Sequence, residues 1–498
     1  MKFERKAGNL ARGRRALSTL LSSPRSHLAP QAVLSNTAWQ IGARIVTALV
    51  AVVQASVLSH YLHSRGYGNY SFVLAVIGVS AVLTDMGLGL VTVRRLSQDD
   101  RHERSHTLSG VLAAKVYLAV LALLATDIFA LTARMDQVER HGIYLMSILY
   151  LVSIPAAVST IFQTELELKY PIVISTIQAA LGLSLTLVLV HLQSSLPAFF
   201  AVQLGTGMLA AFAIYIVAII RYELAFRLDF ELGVRIVREA IPVGISQVLV
   251  VLYFRIDSIL LGILRGPVSV AHYTAAYRFV DLGGFAASAF MGSMYPLMVR
   301  LGSESDRERL KYVFQRTTDI LIFAALPLCV AWIILAHSIV FLVYPGDFGP
   351  SVGALRILSL VFVPLFLNNA LGPLVLTLHK EKTFLWVSVG ATLLNVGLNL
   401  AFIPAYGITA AAVITVVSEA FVTVLGFGIM WRVLHFVPSV RSSLLTLLAV
   451  TAMALPVFIL RDHWIAATGV GFVSYVGVSR ALGLWTPGEV LTAIGVRS

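Results

Sequence analysis

Among the basic residues inside long apolar stretches of the sequence, three arginines are best suited to do chemistry there: Arg44, Arg255 and Arg278. A charge within a bilayer is costly, so such a residue normally faces a polar cavity or a partner. A guanidinium keeps its charge and binds phosphate oxygens through two parallel hydrogen bonds. Gln54 follows Arg44 on the same polar face at helical spacing. We therefore expect these four side chains to contact an anionic ligand in a cavity.

Each arginine also has a structural interpretation. Arg44 is about two turns into its apolar stretch, from which its side chain can reach the inner lipid headgroups. Asp281 follows Arg278 by three residues, so the two could form an ion pair that holds a helix to its neighbour. Asp257 follows Arg255 by two residues, which places them about 200° apart on a helix. These two side chains are therefore not expected to face one cavity together.

Acidic and amide side chains form a second group of candidates. Four acids inside or beside apolar stretches are candidates for ion or proton coupling: Asp85, Asp257, Asp281 and Glu419. Asn395 and Asn399 continue a polar stripe with Ser388 and Thr392, and they could bind sugar hydroxyls. The alternative interpretations are paired structural acids and hydrogen bonds between helices. The single cysteine, Cys329, and the lack of Cys/His ligand spacing predict no metal site.

The elements that carry these residues are predicted to be membrane-spanning helices. The chain is 58% hydrophobic and only 12% charged, with a mean hydropathy of +0.85, whereas soluble domains are about 45–50% apolar and about 25% charged. A spanning helix needs about 20 mostly apolar residues, and backbone amides in lipid must be satisfied within their own segment. Fourteen segments qualify: 36–59, 70–93, 107–131, 142–162, 171–192, 197–220, 240–264, 270–298, 314–343, 353–377, 383–403, 408–431, 443–460 and 464–484.

The distribution of Lys and Arg predicts the orientation of these segments. With the N-terminus inside, 27 of the 37 basic residues fall in inner segments, 5 in outer loops and 5 within spans. Cytoplasmic loops collect Lys and Arg, so both termini are predicted to be cytoplasmic. The formal charge of +12 is thereby assigned to topology and not to nucleic-acid binding. Residues 221–239 mix apolar and charged side chains and are predicted to be an amphipathic linker on the inner membrane face.

A short internal repeat divides the chain into two halves. Aligning Tyr70 with Tyr273 gives an offset of 203, which also pairs Gln54 with Asp257. Two helical halves related by a repeat are typical of transporters. The predicted domains are a basic cytoplasmic tail at 1–35, a six-helix N-lobe at 36–220, the linker at 221–239, a six-helix C-lobe at 240–432, and two additional spans with a short cytoplasmic tail at 433–498.

Several short motifs resemble the polysaccharide-transporter branch of the MOP flippase superfamily, which contains the Wzx-type flippases. The chain shows these motifs over roughly residues 33–435, with 441–498 fitting the extra helix pair of that branch. The motifs are GYGNY at 66–70, LTDMGLG at 83–89, RR at 94–95, VAHYTAAYR at 270–278, YPGDF at 344–348, ALRIL at 354–358 and YGITAAA at 406–412. In the YGITAAA motif, the family often has Gly where this chain has Thr409.

The resemblance implies an all-α, MATE-like membrane fold with about fourteen spans, in which two six-helix lobes surround a central cavity. It also implies a flippase that moves an undecaprenyl-diphosphate-linked oligosaccharide across the bacterial cytoplasmic membrane by alternating access, for O-antigen or exopolysaccharide synthesis. The arginines, Gln54, Asn395 and Asn399 would then bind the diphosphate or the sugar. The expected partners are this lipid-linked oligosaccharide and membrane lipids, with a polysaccharide polymerase and chain-length machinery as further candidates, and no nucleic acid.

Two other functions fit parts of the sequence. A cation-coupled multidrug exporter of the MATE type would share the fold, but a cavity lined by arginine repels organic cations. A membrane polysaccharide polymerase or ligase would need a sizeable outer loop that presents catalytic groups, and the predicted outer loops are all short. The chain also has no G-x-x-x-x-G-K-[ST] phosphate loop. We therefore expect a transporter without a cofactor, and not an enzyme.

Overall fold

The computed structural model describes residues 30–225, 227–303 and 306–484, and every regular element in these ranges is a helix. Most of the predicted basic tail at 1–35, and the end of the chain after residue 484, lie outside the described residues. The α-helices are α1 Pro30–Ala81, α2 Leu88–Leu96, α3 Arg101–Thr132, α4 Gln137–Val152, α5 Thr160–Thr164, α6 Lys169–His191, α7 Leu196–Tyr222, α8 Phe230–Arg265, α9 Pro267–Arg300, α10 Arg307–Val343, α11 Pro350–Leu358, α12 Phe362–Thr377, α13 Glu381–Leu434, α14 Arg441–Ile459 and α15 Trp464–Ala481.

The all-helical membrane fold is confirmed, whereas the count of fourteen spans is not. In the described part of the chain ten helices are long and apolar enough to cross a membrane, or eleven if the pair bent by 45° at residue 153 is one span. The difference arises because α1 and α13 each join two predicted segments across one non-helical residue, His63 and Gly407. In addition, α15 is not among the ten. The count of fourteen therefore stays a prediction.

The breaks in the helices follow the predicted repeat. His63 interrupts α1 with φ 54° and ψ −176°, and Gly266 separates α8 from α9 with φ 82° and ψ 177°. The two positions are 203 residues apart and have nearly the same backbone conformation. The offset of 203 in the sequence thus relates two helix breaks of the same shape.

One end of the bundle, which carries the predicted outer loops, is closed by an aromatic cluster that we call the seal. It consists of Tyr67, Tyr344 and Phe348, whose ring centroids are 5.0–6.0 Å apart. All three rings are buried. Next to them, a Cβ at Gly68 would lie 1.9 Å from the carbonyl oxygen of Pro267, so only glycine allows this approach of α1 to α9. The residues that follow the two breaks of the repeat thus pack against each other beside the seal.

At the opposite end of the bundle, charged and small residues connect α8 to α2 and to the turn that precedes α2. Glu239 on α8 pairs with Arg94 and Arg95 on α2, with 2.5 Å between the Arg95 and Glu239 side chains. The N–H of Gly87 donates to Gln247 over 2.9 Å. Gly244 on α8 packs directly on the backbone of residue 86. These contacts attach the first half of α8 to the helices that precede it.

The predicted linker, 221–239, contributes to this attachment. The structure extends α8 back to Phe230, so the second half of the predicted linker forms the first turns of a long helix. These turns pack on α3, where a Cβ at Gly233 would lie 2.9 Å from the backbone nitrogen of Ala114. The backbone N–H of Leu232 donates to Asp229 over 2.9 Å, which lowers the pKa of that carboxyl group. The segment thus packs against α3, and its place on the inner membrane face stays a prediction.

Candidate functional site

A central cavity of about 840 Å³ lies between three helices, α1, α8 and α9. All three predicted arginines line it, together with Asp281. Helical spacing explains the convergence on α9, because Thr274, Tyr277, Arg278 and Asp281 recur every three or four residues on one face. The remaining walls are largely apolar or aromatic. They include Thr47, Leu49, Val52, Tyr70, Leu74, Val251, Ser258, Leu282 and Phe285.

The three guanidinium groups have different partners. Arg278 Nη1 donates to the backbone carbonyl of Ala51 over 2.8 Å, which ties α9 to α1. Arg255 Nη2 lies 3.2 Å from Asp281 Oδ2, and its guanidinium carbon lies 5.5 Å from the centroid of the Tyr277 ring. Arg44 is exposed to the cavity and makes no ion pair with any described residue. The predicted alternative of an Arg278–Asp281 pair is thus wrong, since Asp281 pairs with Arg255.

Gln54 and the two asparagines do not line this cavity. Gln54 Nε2 donates to Thr186 Oγ1 on α6 over 3.3 Å, so it joins two helices. Asn395 Nδ2 donates to Ser418 Oγ over 3.2 Å across the two halves of α13, and Asn399 Nδ2 donates to the carbonyl of Asn395 over 2.9 Å. Their side chains are bonded within the helical bundle. Gln54 and Asn395 thus form the interhelical hydrogen bonds of the alternative interpretation, whereas Asn399 bonds within its own helix.

Asp257 lies in the packed interior. It is 3% exposed and accepts hydrogen bonds from Tyr273, from Thr415 over 3.4 Å and from the N–H of Ser258 over 2.8 Å. Arg255, two residues earlier, faces the cavity. The helical rotation between the two positions therefore separates them as the sequence predicted.

The other acids occupy separate places in the fold. Glu419 lines a second cavity of about 500 Å³ between α8, α9, α12 and α13, where Asn368 Nδ2 donates to its carboxylate over 2.7 Å. Asp85 lines a third cavity of about 160 Å³ together with Lys115. The candidates for coupling are thus spread over three cavities and one buried cluster and do not form one site.

Some lining residues were not singled out in the sequence. Tyr277 lies under the Arg255 guanidinium, and Asn368 is the partner of Glu419. Asn368 is a polar residue inside the apolar segment 353–377, so the signal that identified Asn395 was available for it as well. Tyr70 was noted only for the repeat, and Phe285 gave no signal, because an aromatic residue is ordinary in an apolar helix. Within the described ranges, no cluster of three or more His, Cys, Asp and Glu side chains could hold a metal ion.

A family model described as polysaccharide biosynthesis protein matches residues 33–302, which is more than half of the chain. The chain belongs to this family. A second model, MatE, matches residues 242–401. A Shigella flexneri protein named as a candidate O-antigen transporter is 20% identical over 405 residues, which cover 76% of this chain and 93% of the relative.

Solved structures show which known folds this chain resembles. A lipid II flippase MurJ in an inward closed conformation superposes with a TM-score of 0.75 at 13% identity, over 89% of this chain and 98% of that one. An inward-facing multidrug resistance MATE family transporter of the MOP superfamily gives 0.62 at 16% identity, over 78% and 94%. These similarities establish the fold. Together with the family match, they make the protein a multi-pass membrane transporter of the flippase type and not an enzyme.

Proposed function

We propose that this protein translocates an undecaprenyl-diphosphate-linked oligosaccharide repeat unit across the bacterial cytoplasmic membrane, for the synthesis of O-antigen or exopolysaccharide. The observation that carries the proposal is the convergence of Arg44, Arg255 and Arg278 from three helices on one central cavity. Three guanidinium groups and one carboxylate give the described walls a net positive charge. The S. flexneri relative, whose name refers to O-antigen transport, supports the same class of cargo.

The physical reason is the cost of dehydrating a diphosphate. An ion that leaves water for a low-dielectric cavity loses several kcal/mol of hydration, which only fixed charges and hydrogen bonds can offset. Arginine offers both in a planar fork that matches phosphate oxygens. The lipid chain can stay among the bilayer tails, while the polar head enters between α1 and the α8–α9 pair.

The cavity walls come from both proposed lobes, since α1 belongs to 36–220 whereas α8 and α9 largely belong to 240–432. Rocking of these lobes about the cavity would open it to one side and then to the other. We place both termini in the cytoplasm, on the basis of the distribution of 27 inner and 5 outer basic residues. A polymerase and chain-length machinery would take up the product outside. Asp85, Asp257, Asp281 and Glu419 are the acids available for ion or proton coupling.

One observation favours a second candidate function. The cavity around Glu419 is bounded mainly by apolar and aromatic side chains, such as Leu249, Phe254, Met291 and Leu365. A buried carboxylate in apolar walls suits a hydrophobic cation, as a multidrug exporter of the MATE type would require. The larger central cavity, with its three arginines, favours an anion. We therefore rank the cation exporter second.

Deletion of the gene in the native bacterium tests the proposal. Lipid-linked repeat units should accumulate on the inner leaflet, and surface polymer should fall to near zero, because the lipid carrier can no longer cross with its cargo. Mass spectrometry of extracted lipids and gel analysis of surface polysaccharide measure the two effects. Complementation with the wild-type gene is the control. Normal surface polymer in a deletion strain that lacks any second flippase would exclude this function.

A further inference from the structure

The only ion pair among the described walls of the central cavity joins Arg255 and Asp281. Their side chains are 46% and 50% exposed, so both remain accessible from the cavity. An accessible ion pair is bound weakly, because water screens it and holding both side chains costs entropy. A ligand with a fixed negative charge can therefore exchange with the Asp281 carboxylate at low cost.

The three arginines differ in how readily they can receive such a ligand. Arg44 makes no ion pair with any described residue, and Arg278 is engaged with the carbonyl of Ala51. Arg255 is occupied by a carboxylate that is itself an anion. A ligand with a single phosphate can bind at Arg44 and leave the pair intact. A diphosphate diester carries a negative charge on each phosphate, and a second phosphate that binds Arg255 replaces Asp281 there.

We propose that Asp281 is a displaceable counter-ion of Arg255. Its carboxylate leaves Arg255 when the second phosphate of a diphosphate-bearing lipid binds there, and it pairs with Arg255 again when the lipid is released. Asp281 thereby limits the affinity for the cargo and prevents it from remaining in the cavity. The inference rests on the proposed function, because it concerns the same cavity and cargo. It makes Asp281 a residue that tunes affinity and not one that attracts the substrate.

Binding to the purified full-length protein in nanodiscs tests this exchange. The probes are farnesyl diphosphoryl-N-acetylglucosamine and its monophosphoryl analogue, measured by calorimetric titration. Asp281→Asn should bind the diphosphoryl probe on the order of tenfold more tightly, which corresponds to about 1.4 kcal/mol. Its affinity for the monophosphoryl probe should change much less. Despite the tighter binding, Asp281→Asn should export less polymer in cells, because release becomes slower.

A double-mutant cycle identifies the partner of Asp281. In an Arg255→Ala background, Asp281→Asn should give no gain in affinity, since the group it would free is gone. Asp462→Asn, which removes a charge from an exposed loop outside the cavity, is the matched control and should bind as the wild type does. Asp281→Ser serves as a second variant if Asp281→Asn is poorly produced.

The outcomes separate this inference from the proposed function. If the wild type binds the diphosphoryl probe and neither Asp281 variant binds it more tightly, the counter-ion role is overturned while the function stands. A gain that persists without Arg255 also overturns it. If neither the wild type nor the variants bind the diphosphoryl probe, both the inference and the proposed cargo fail.

Discussion

Arg44 and Arg278 line the same cavity, but the partners of their guanidinium groups predict different roles. Arg44 points into the cavity without an ion pair to a described residue, so it is available to a ligand. Arg278 donates to the carbonyl of Ala51 on α1, so part of its hydrogen-bonding capacity already holds the helices together. Replacing the two residues should therefore affect binding and assembly to different degrees.

Arg44→Ala should weaken binding of the diphosphoryl probe without lowering the amount of protein in the membrane. Loss of a hydrogen bond to a charged group costs about 1.5–3 kcal/mol, which is roughly a tenfold to hundredfold loss in affinity. Arg44→Lys keeps the charge but not the bidentate geometry, so it should restore binding only in part. Probe titration and quantitative immunoblots of membranes measure the two effects. If Arg44→Lys instead binds the probe as tightly as the wild type, Arg44 only reaches lipid headgroups.

Arg278→Ala is the comparison variant for this experiment. Removal of the Arg278 side chain breaks the hydrogen bond from α9 to α1, so the amount of protein in the membrane or its thermal stability should fall along with the affinity for the probe. The structural role of Arg278 would be contradicted if Arg278→Ala were as abundant as the wild type and lost as much probe binding as Arg44→Ala.

At the scale of the helices, the break at His63 has a partner from a distant part of the chain. The break leaves the N–H of Ser64 free of its helical acceptor, and this group donates to Asp347 Oδ2 over 2.7 Å. His272 Nε2 in turn donates to the backbone carbonyl of Asp347 over 3.0 Å. A carboxylate is favourable at the N-terminus of a helix. Asp347 thus caps the second half of α1, and its two hydrogen bonds hold it next to Phe348 of the seal.

Asp347→Ala should shift the protein toward a state that is open at the sealed end. One charge-assisted hydrogen bond is lost, about 1.5–3 kcal/mol, so the population of the open state should rise roughly tenfold to hundredfold if it is the minor state. A cysteine at the lining residue Ser71, with Cys329 replaced by Ala, should then react faster with an impermeant maleimide in intact cells. Asp462→Ala is the control with the same change of charge. An unchanged labelling rate would show that the aromatic rings close this end without Asp347.

At the scale of the whole molecule, the orientation in the membrane decides which end the seal closes. The prediction of cytoplasmic termini places Arg235, in the exposed part of α8, inside the cell and Asp462, between α14 and α15, outside. A cysteine at Asp462 should react with an impermeant reagent in intact cells. One at Arg235 should react only after permeabilisation. Labelling of the Arg235 position from outside would reverse the topology and place the seal on the cytoplasmic side.

The sequence by itself determined the fold class, the family and the arginines of the cavity. Long apolar segments have few options in lipid, because every backbone amide must be bonded within its own helix. An arginine inside such a segment is costly unless it reaches polar surroundings, so its type and position alone indicate a cavity or a partner. That argument holds for Arg44, Arg255 and Arg278 whichever helices surround them.

Only the tertiary structure decided which polar side chains face the cavity and with which partners. Gln54 and Asn395 are neutral, so a hydrogen bond to another helix satisfies their amide groups as well as a ligand would, and Asn399 donates within its own helix. Asp281 has Arg278 one turn before it, yet it pairs with Arg255 on α8, while Arg278 donates to the carbonyl of Ala51 on α1. Asp347 and Ser64 are 283 residues apart in the chain and meet only through the packing of the helices. Helical periodicity gives the direction of a side chain relative to its own axis, whereas the rotation of that axis is set by the packing of its neighbours.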